Sequence, residues 1–402
     1  MKRFSQIVAR TVACAAAATM SLTMSLWAPQ AMGQSIEDAL AKAYLNNPTL
    51  LSTRAGLRST DEAVPQALAN WRPSVEVTSS IGAEVVNNNT STTGTGLNQS
   101  RRPKDIGLSV TQPLFRGGRT LAATSGAENE IRAARARLLE TEQGILLQAA
   151  TSYLNVFRDQ AVLELNRNNE EVLQRQLEAT RDRFEVGEIT RTDVHQAEAR
   201  LARSKADRIQ SEGDLETSRA NYLNIVGEPA PDTLILPGAL LDLPTSADDA
   251  VRTAIVNNPA VIAAEFDRRQ SMDNVDEVWG ELLPELDLTA SSTREVQTTT
   301  ENSLRTSHEI SLNLTVPIYQ QGEVYSRLRE ARQDAAQSTL VIDTERRDAA
   351  EAATQSYESL TTTQAQVDAF QTQIEASVVA LEGVQREAAV GSRTVLDILN
   401  AE

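Results

Sequence analysis

The sequence predicts a mainly α-helical chain in which very long coiled-coil helices alternate with four amphipathic strands suited to a membrane β-barrel. Three observations carry this expectation. The chain is written twice, four segments alternate with a period of two, and the longest apolar patterns keep three-four spacing without an internal proline.

The duplication fixes the organisation. Asn46, Asn47 and Pro48 recur as Asn257, Asn258 and Pro259, a shift of 211, and Pro73 recurs as Pro284 at the same shift. Pro113, Leu114, Phe115 and Gly118 are matched by Pro317, Ile318, Tyr319 and Gly322 at a shift of 204, which then holds for Tyr153 with Tyr357, Gly187 with Gly391 and Asp193 with Asp397. The seven lost positions fall within residues 87–103, a polar Asn, Thr, Ser and Gly tract, against a shorter counterpart near 298–307. Insertions of that kind collect at exposed loop tips.

Residues 1–33 read as a signal peptide, with Lys2 and Arg3 ahead of an apolar stretch from Ile7 to Trp27 and small residues Ala31 and Gly33 before the expected cut. Residues 34–233 form the first repeat: helix, β-hairpin 74–115, long helix 119–185, tip turn, returning helix 190–226. Residues 234–402 carry a proline-marked linker and the second repeat, with β-hairpin 285–317, long helix 322–389 and a tip turn. The first repeat continues past Asp193 to Gly227, whereas the second stops soon after Asp397, so the last returning helix is expected to be incomplete.

In the first strand segment Val75, Val77, Ile81, Ala83 and Val85 share one face, interrupted by Ser79; in the next, Ile106, Leu108 and Val110 share a face. In the second repeat the apolar sets are Leu286, Leu288 and Ala290, then Ile310, Leu312, Leu314 and Val316. Two hairpins with one face on a soluble core would also read this way. The flanking helices, however, are too long to fold back as a cover, and four strands cannot close a barrel. Three chains are the simplest open solution. After residue 33 no apolar run reaches the roughly eighteen residues of a spanning helix, so a membrane crossing would use strands.

The long helices show seams at Ile131, Ala134, Leu138, Ile145, Ala149, Ser152 and Val156, and at Leu173, Leu177, Thr180 and Phe184; the second helix carries Val367, Phe370, Ile374, Val378, Leu381 and Ala388. Sustained three-four spacing is a coiled-coil signal. Both helices end at Val186, Gly187 and Val390, Gly391, followed by Thr190 and Thr394, where glycine suits a left-handed cap and threonine a helix start.

Composition excludes several function classes. The net charge of −17 becomes −20 without Lys2, Arg3 and Arg10 of the leader, which disfavours nucleic acid as a partner. The one cysteine, Cys14, lies in the leader behind a poor lipoprotein box, Thr11, Val12 and Ala13, so the mature chain carries no disulfide. With aromatics at only 4%, long helices are a better expectation than one large globular core. No nucleophile elbow, phosphate loop or metal cluster is evident; His195 and His308 stand alone, and Gly94 and Gly96 sit in a polar loop without strand-to-helix context. No catalytic residue, cofactor or metal is expected.

The strand exit Gln112, Pro113, Leu114, Phe115, Arg116, Gly117, Gly118, Arg119 and the paired tips resemble the TolC-type outer membrane efflux family, over nearly the whole mature chain. The resemblance implies a homotrimer with a twelve-stranded barrel in outer-membrane lipid, continued by a helical tunnel into the periplasm. It implies docking of a periplasmic adaptor and an inner-membrane pump of the RND or ABC type at Val186, Gly187, Thr190, Val390, Gly391 and Thr394. It further implies a gate in which Asp193 and Arg393 form an ionic link and Asp397 contributes to an acidic ring. The chain departs from the family pattern at Asn400, where a second ring acid is expected, and at Ala388, where a tyrosine is common. The alternative is a soluble periplasmic coiled-coil adaptor, which would be exported and helical but would not need duplicated strands.

Overall fold

The computed structural model describes residues 34–88, 97–236, 238 and 243–402. The leader with Cys14 and the loop glycines Gly94 and Gly96 lie outside the described residues. The elements run α1 (Ile36–Asn46), α2 (Pro48–Thr60), α3 (Ala63–Ala69), β1 (Ser74–Ile81), β2 (Glu84–Asn88), β3 (Leu97–Arg101), β4 (Lys104–Arg116), α4 (Arg119–Glu185) and α5 (Arg191–Val226). They continue as α6 (Ala247–Asn257), α7 (Pro259–Gly280), β5 (Glu285–Val296), β6 (Leu304–Thr315), α8 (Glu323–Ala389) and α9 (Val395–Ala401).

Local chemistry explains the breaks. Asn47 and Asn258 sit in extended backbone immediately before Pro48 and Pro259, because a residue ahead of proline is driven out of the helical region. Each proline then opens a helix, where its missing N–H costs nothing. The stretch after Pro48 divides again before α3, whose first turn holds Pro65, while α7 has no interior proline and runs unbroken for 22 residues. The two long helices are 67 residues each, about 100 Å at 1.5 Å per residue. Among the described residues, no helix is long and apolar enough to cross a membrane.

Chain contacts divide the molecule into two compact units, one of which comprises the described residues up to Asn47, those of Ile145–Leu241, and Leu381–Glu402. In it α5 packs along the later part of α4. Tyr153, Val156, Leu163, Leu215, Tyr222 and Val226 are buried with Ala39 and Ala43 of α1, and nearer the tip Leu173, Leu177, Val194, Ala197 and Leu201 form a second cluster. Between these clusters the pair is held by polar contacts, Asn166 to Ser211 at 2.6 Å and Arg208 to Glu170 at 2.5 Å. The Tyr153 hydroxyl lies 2.7 Å from the carbonyl oxygen of Gln34 and 2.6 Å from that of Ile235, and accepts the Ile235 N–H at 2.9 Å. It thereby fastens the segment before α1 to the linker after α5, which also form a parallel bridge, Gln34 to Leu234. Burial pushes the neighbouring Tyr222 phenol up to about 12.

The other unit comprises Pro48–Gly144 and, among the described residues, those from 243 to Ala380. Its sheet is antiparallel, in the order β1-β4-β5-β6. Val110 pairs with Val75 on one side and Ala290 on the other, and Ala290 pairs with Ile310. Period-two alternation therefore collects Val75, Val77, Ile106, Leu108, Leu288, Ile310 and Leu312 on one face. Glu76, Asp105, Asp287, Glu295 and Glu309 stand on the other.

The segment 75–85, expected as one strand, is divided at Gly82 and Ala83. The facing residue Pro103 has no N–H to offer; its carbonyl accepts the Gly82 N–H at 2.8 Å, and Glu84–Asn88 instead pairs with Leu97–Arg101 in a separate ribbon. Part of the tract read as loop is therefore strand. The register of β4 slips between Pro113 and Phe115, a bulge that lets a central strand pass its own proline, whereas edge strand β6 stops at Thr315, before Pro317. Alongside the sheet, α7 packs on the start of both long helices. Val278 is buried with Val324, Leu328 and Ala331, and Asn129 donates to Asp273 at 2.7 Å.

Candidate tip and gate site

The two tips are built alike from the backbone outward. Gly187 and Gly391 take positive φ of 81° and 80°, a region that a residue with a Cβ enters only at a cost. At the first tip the Gly187 N–H donates to Phe184 O at 2.9 Å and the Glu188 N–H to Arg183 O at 3.0 Å. At the second, Gly391 donates to Ala388 O and Ser392 to Glu387 O, both at 3.0 Å. Each is a Schellman ending, which satisfies carbonyls that the helix itself leaves open. The valine before each glycine projects into solvent, Val186 at 78% exposure and Val390 at 81%.

Three residues later the chain turns back through a capping box. Asp193 accepts the Thr190 N–H at 2.9 Å and hydroxyl at 2.8 Å while its own N–H donates to Thr190 Oγ1 at 3.4 Å. Asp397 and Thr394 repeat the arrangement at 2.9, 2.9 and 3.3 Å. The hydrogen bonds from threonine hold both carboxyls below the usual aspartate range, and Arg393 adds a smaller pull on Asp397. Arg393 donates to Glu387 at 2.8 Å, and its guanidinium is held more firmly protonated by that bond. Arg200 on α5 reaches Asn400 on α9 at 2.6 Å, so the two helices that leave the tips are joined.

The structure thus brings Asp193 to Thr190, Asp397 to Thr394 and Arg393 to Glu387. Among the described residues no ion pair within the chain joins Arg393 to Asp193. Two features were missed in the sequence. Thr-x-x-Asp is a capping-box spacing, legible at 190–193 and 394–397, which gives both aspartates a local partner. Glu387 is the residue whose carbonyl the turn already uses, so Arg393 lies within reach once the Schellman geometry is known. His195 is bound to Glu198 at 3.0 Å on the surface of α5, and His308 lies in β6 opposite Ser292.

The match to known proteins spans both repeats. Residues 39–228 and 250–402 fit the model of the outer membrane efflux protein family. The chain belongs to that family. It is 32% identical to the outer membrane efflux protein BepC of Brucella suis biovar 1 (strain 1330), covering 96% of this chain and 83% of that one. With the outer membrane protein TolC of Vibrio cholerae serotype O1 (strain ATCC 39315 / El Tor Inaba N16961) it shares 26% identity over 96% of this chain and 86% of the other. The fold is similar to that of the CmeC outer membrane channel of Campylobacter jejuni, with a TM-score of 0.79 at 15% identity over 91% of this chain and 79% of that one. The chain is therefore an outer-membrane exit duct for efflux or secretion, in a family of channel proteins. The soluble adaptor alternative is set aside: a channel family covers the strands and helices together.

Proposed function

We propose that three copies of this chain close a β-barrel in outer-membrane lipid and conduct substrate passively, without catalysis, from an inner-membrane pump of the RND or ABC type and its periplasmic adaptor. The observation that carries this reading is the open four-stranded sheet with one apolar and one acidic face. Such a sheet fits neither water nor lipid alone; closed on itself it offers the apolar face to lipid and the acidic face to a water-filled lumen. Three sheets of four strands give twelve, enough for an open interior. Mild detergent extraction from separated membranes tests this. The expected result is an outer-membrane species of three chain masses; a soluble periplasmic monomer would sink the reading.

In the same reading the tips face the adaptor. Val186 and Val390 offer exposed apolar contacts, and the Gly187–Thr190 and Gly391–Thr394 turns hold them in place. Gly187→Pro locks φ near −65° and removes the N–H bound to Phe184 O, so it is expected to weaken adaptor capture while leaving barrel assembly intact. Loss of outer-membrane assembly in that variant would count against the division of labour.

The gate assignment falls on Asp193, Arg393 and Asp397. Arg393 and Asp397 hold the second tip in shape, and a link from Arg393 to Asp193 of a neighbouring hairpin would compete with Glu387. Replacing Arg393 and Asp397 together by alanine is expected to raise single-channel conductance. Unchanged conductance in an assembled trimer would remove both from the gate.

A further inference from the structure

Resting on the trimeric reading above, we infer that the apolar face of the sheet carries a binding site for a phosphate-bearing lipid of the outer leaflet. Its headgroup lies on Lys104 and Arg294, and one acyl chain lies in a groove beside them. Every carboxylate of the four strands, Glu285 included, falls on the opposite face. The apolar face instead holds Lys104, Arg294 and His308, on one diagonal across β4, β5 and β6. Lys104 is opposite Val296, two residues beyond Arg294, and Arg294 is opposite Thr306, two residues before His308. Diagonal neighbours of this kind stand about 7–8 Å apart, a spacing that long side chains can close on one phosphate. Both cations are exposed, and among the described residues no carboxylate pairs with either. In a chain with a net charge of −17, cations without acid neighbours on a lipid face call for an anion that the chain does not supply.

Position and shape select the ligand. The helices join the sheet at Ser74, Arg116, Glu285 and Thr315, so Lys104 and Arg294 lie at the far end, toward the loops. From Leu286 to Arg294 the strand covers about 27 Å, or about 20 Å of depth at the tilt of a barrel. The apolar band of such a barrel is about 25 Å tall, so both cations reach its outer border, their stems in lipid and their charges at the headgroups. With the tips facing the adaptor, that border is the outer leaflet. Beside the cations the face is indented. Ala290 and Ser292 are small, and with Leu108, Val110, His308 and Ile310 they line a groove of about 300 Å³. Ser291 and Glu309 complete the lining from positions that the register gives to the other face. The groove begins one pair from Arg294, at Ser292 and His308, and runs toward the helical end, as an acyl chain hanging from a headgroup at Arg294 would. The His308 imidazole at its upper edge can donate an N–H to a phosphate or ester oxygen. A zwitterionic headgroup brings a cation of its own, for which this face holds no carboxylate, so a net negative lipid is favoured.

Native mass spectrometry of the full chain, extracted as a trimer in mild detergent and offered lipid A with and without its phosphates, tests the site. The unaltered protein is expected to retain the phosphorylated lipid, and Lys104→Gln with Arg294→Gln to lower that retention by about tenfold or more. The dephosphorylated lipid should be held weakly by both. Arg305→Gln removes the same charge from the opposite face, where Arg305 pairs in register with Glu295, and should change nothing. Ala290→Phe fills the groove and should weaken retention with both cations in place. Equal retention of the two lipids by an assembled trimer overturns the site and leaves the duct standing, and so does a loss in Arg305→Gln as large as that of the double variant. Undiminished retention in Ala290→Phe overturns the groove. A species of one chain mass overturns the trimeric reading itself. Should the double variant fail to assemble, the unaltered trimer carries the test through the comparison of the two lipids.

Discussion

Tyr153 and Tyr357 occupy the same place in the two repeats, yet the first is fully buried, with its hydroxyl among three backbone groups, while the second is half-buried, 3.4 Å from the Thr245 carbonyl oxygen. The long helices differ in the same sense further on. Leu173 and Leu177 of α4 are buried against α5, whereas Val367, Phe370, Ile374 and Val378 of α8 stand 57%, 60%, 64% and 61% exposed. A coiled-coil seam is thus a property of two helices. The apolar spacing supplies one half, and burial follows only where a facing element supplies the other.

The strand exits give the largest expected difference between the repeats. Gly117→Ala places a Cβ against the Gly280 carbonyl at a residue whose φ is +62°, so overpacking and backbone strain add, at about 3 kcal/mol or more together. Its counterpart Gln321 already carries a side chain at φ +55° with solvent around it, and Gln321→Gly relieves strain of about 1 kcal/mol against a similar entropic loss. Denaturant unfolding of the extracted protein should therefore show a large loss for the first and a change within about 1 kcal/mol for the second. Equal responses would mean that the two exits are not held differently.

A smaller contrast is expected at the tyrosines. Tyr153→Phe leaves the Ile235 N–H and the Gln34 and Ile235 carbonyls without their shared hydroxyl, at a cost of about 1–2 kcal/mol. Tyr357→Phe removes one long, solvent-competed bond and should cost under about 0.5 kcal/mol. Thermal melts of the two variants side by side would test it, and a larger loss at Tyr357 would break the comparison.

Much of this arrangement was legible in the sequence because it rests on local rules. Prolines 48 and 259 mark helix starts, glycines 187 and 391 mark helix ends, and the repeat shifts hold through both. The break at Gly82 was not legible. It arises from Pro103 across the hairpin, and the alternation of Val75 to Val85 continues unchanged through it. The gate residues show the same limit. The family resemblance implied a link between Asp193 and Arg393 and an acidic ring at Asp397; within the chain Asp193 and Asp397 each meet a threonine three residues back, and Arg393 meets a glutamate six residues back through a turn. Pairing across a turn depends on its backbone geometry, which spacing alone does not specify.

The tips themselves allow the finest test, because they share a backbone and a capping box and differ in the charges around them. In both, hydrogen bonds from threonine depress the aspartate below its ordinary range, so the stabilisation is present above the unfolded-state carboxylate titration and is lost as pH falls through the depressed folded-state value. Amide exchange at Thr190 and Thr394 is therefore expected to quicken together only in acid below the usual aspartate range. Thr190→Ala should quicken exchange at the first turn by about fivefold at neutral pH, the equivalent of roughly 1 kcal/mol of cap. Arg393 separates the two tips: it lies near Asp397, while the first tip has Ile189 at the equivalent position. Arg393→Ala should move the Asp397 titration upward and leave that of Asp193 where it was, as followed by carboxyl chemical shifts. A matching shift at both aspartates would show that the arginine acts through the joined helices by way of Arg200 and Asn400, and an unmoved Asp397 would show that Glu387 already neutralises it.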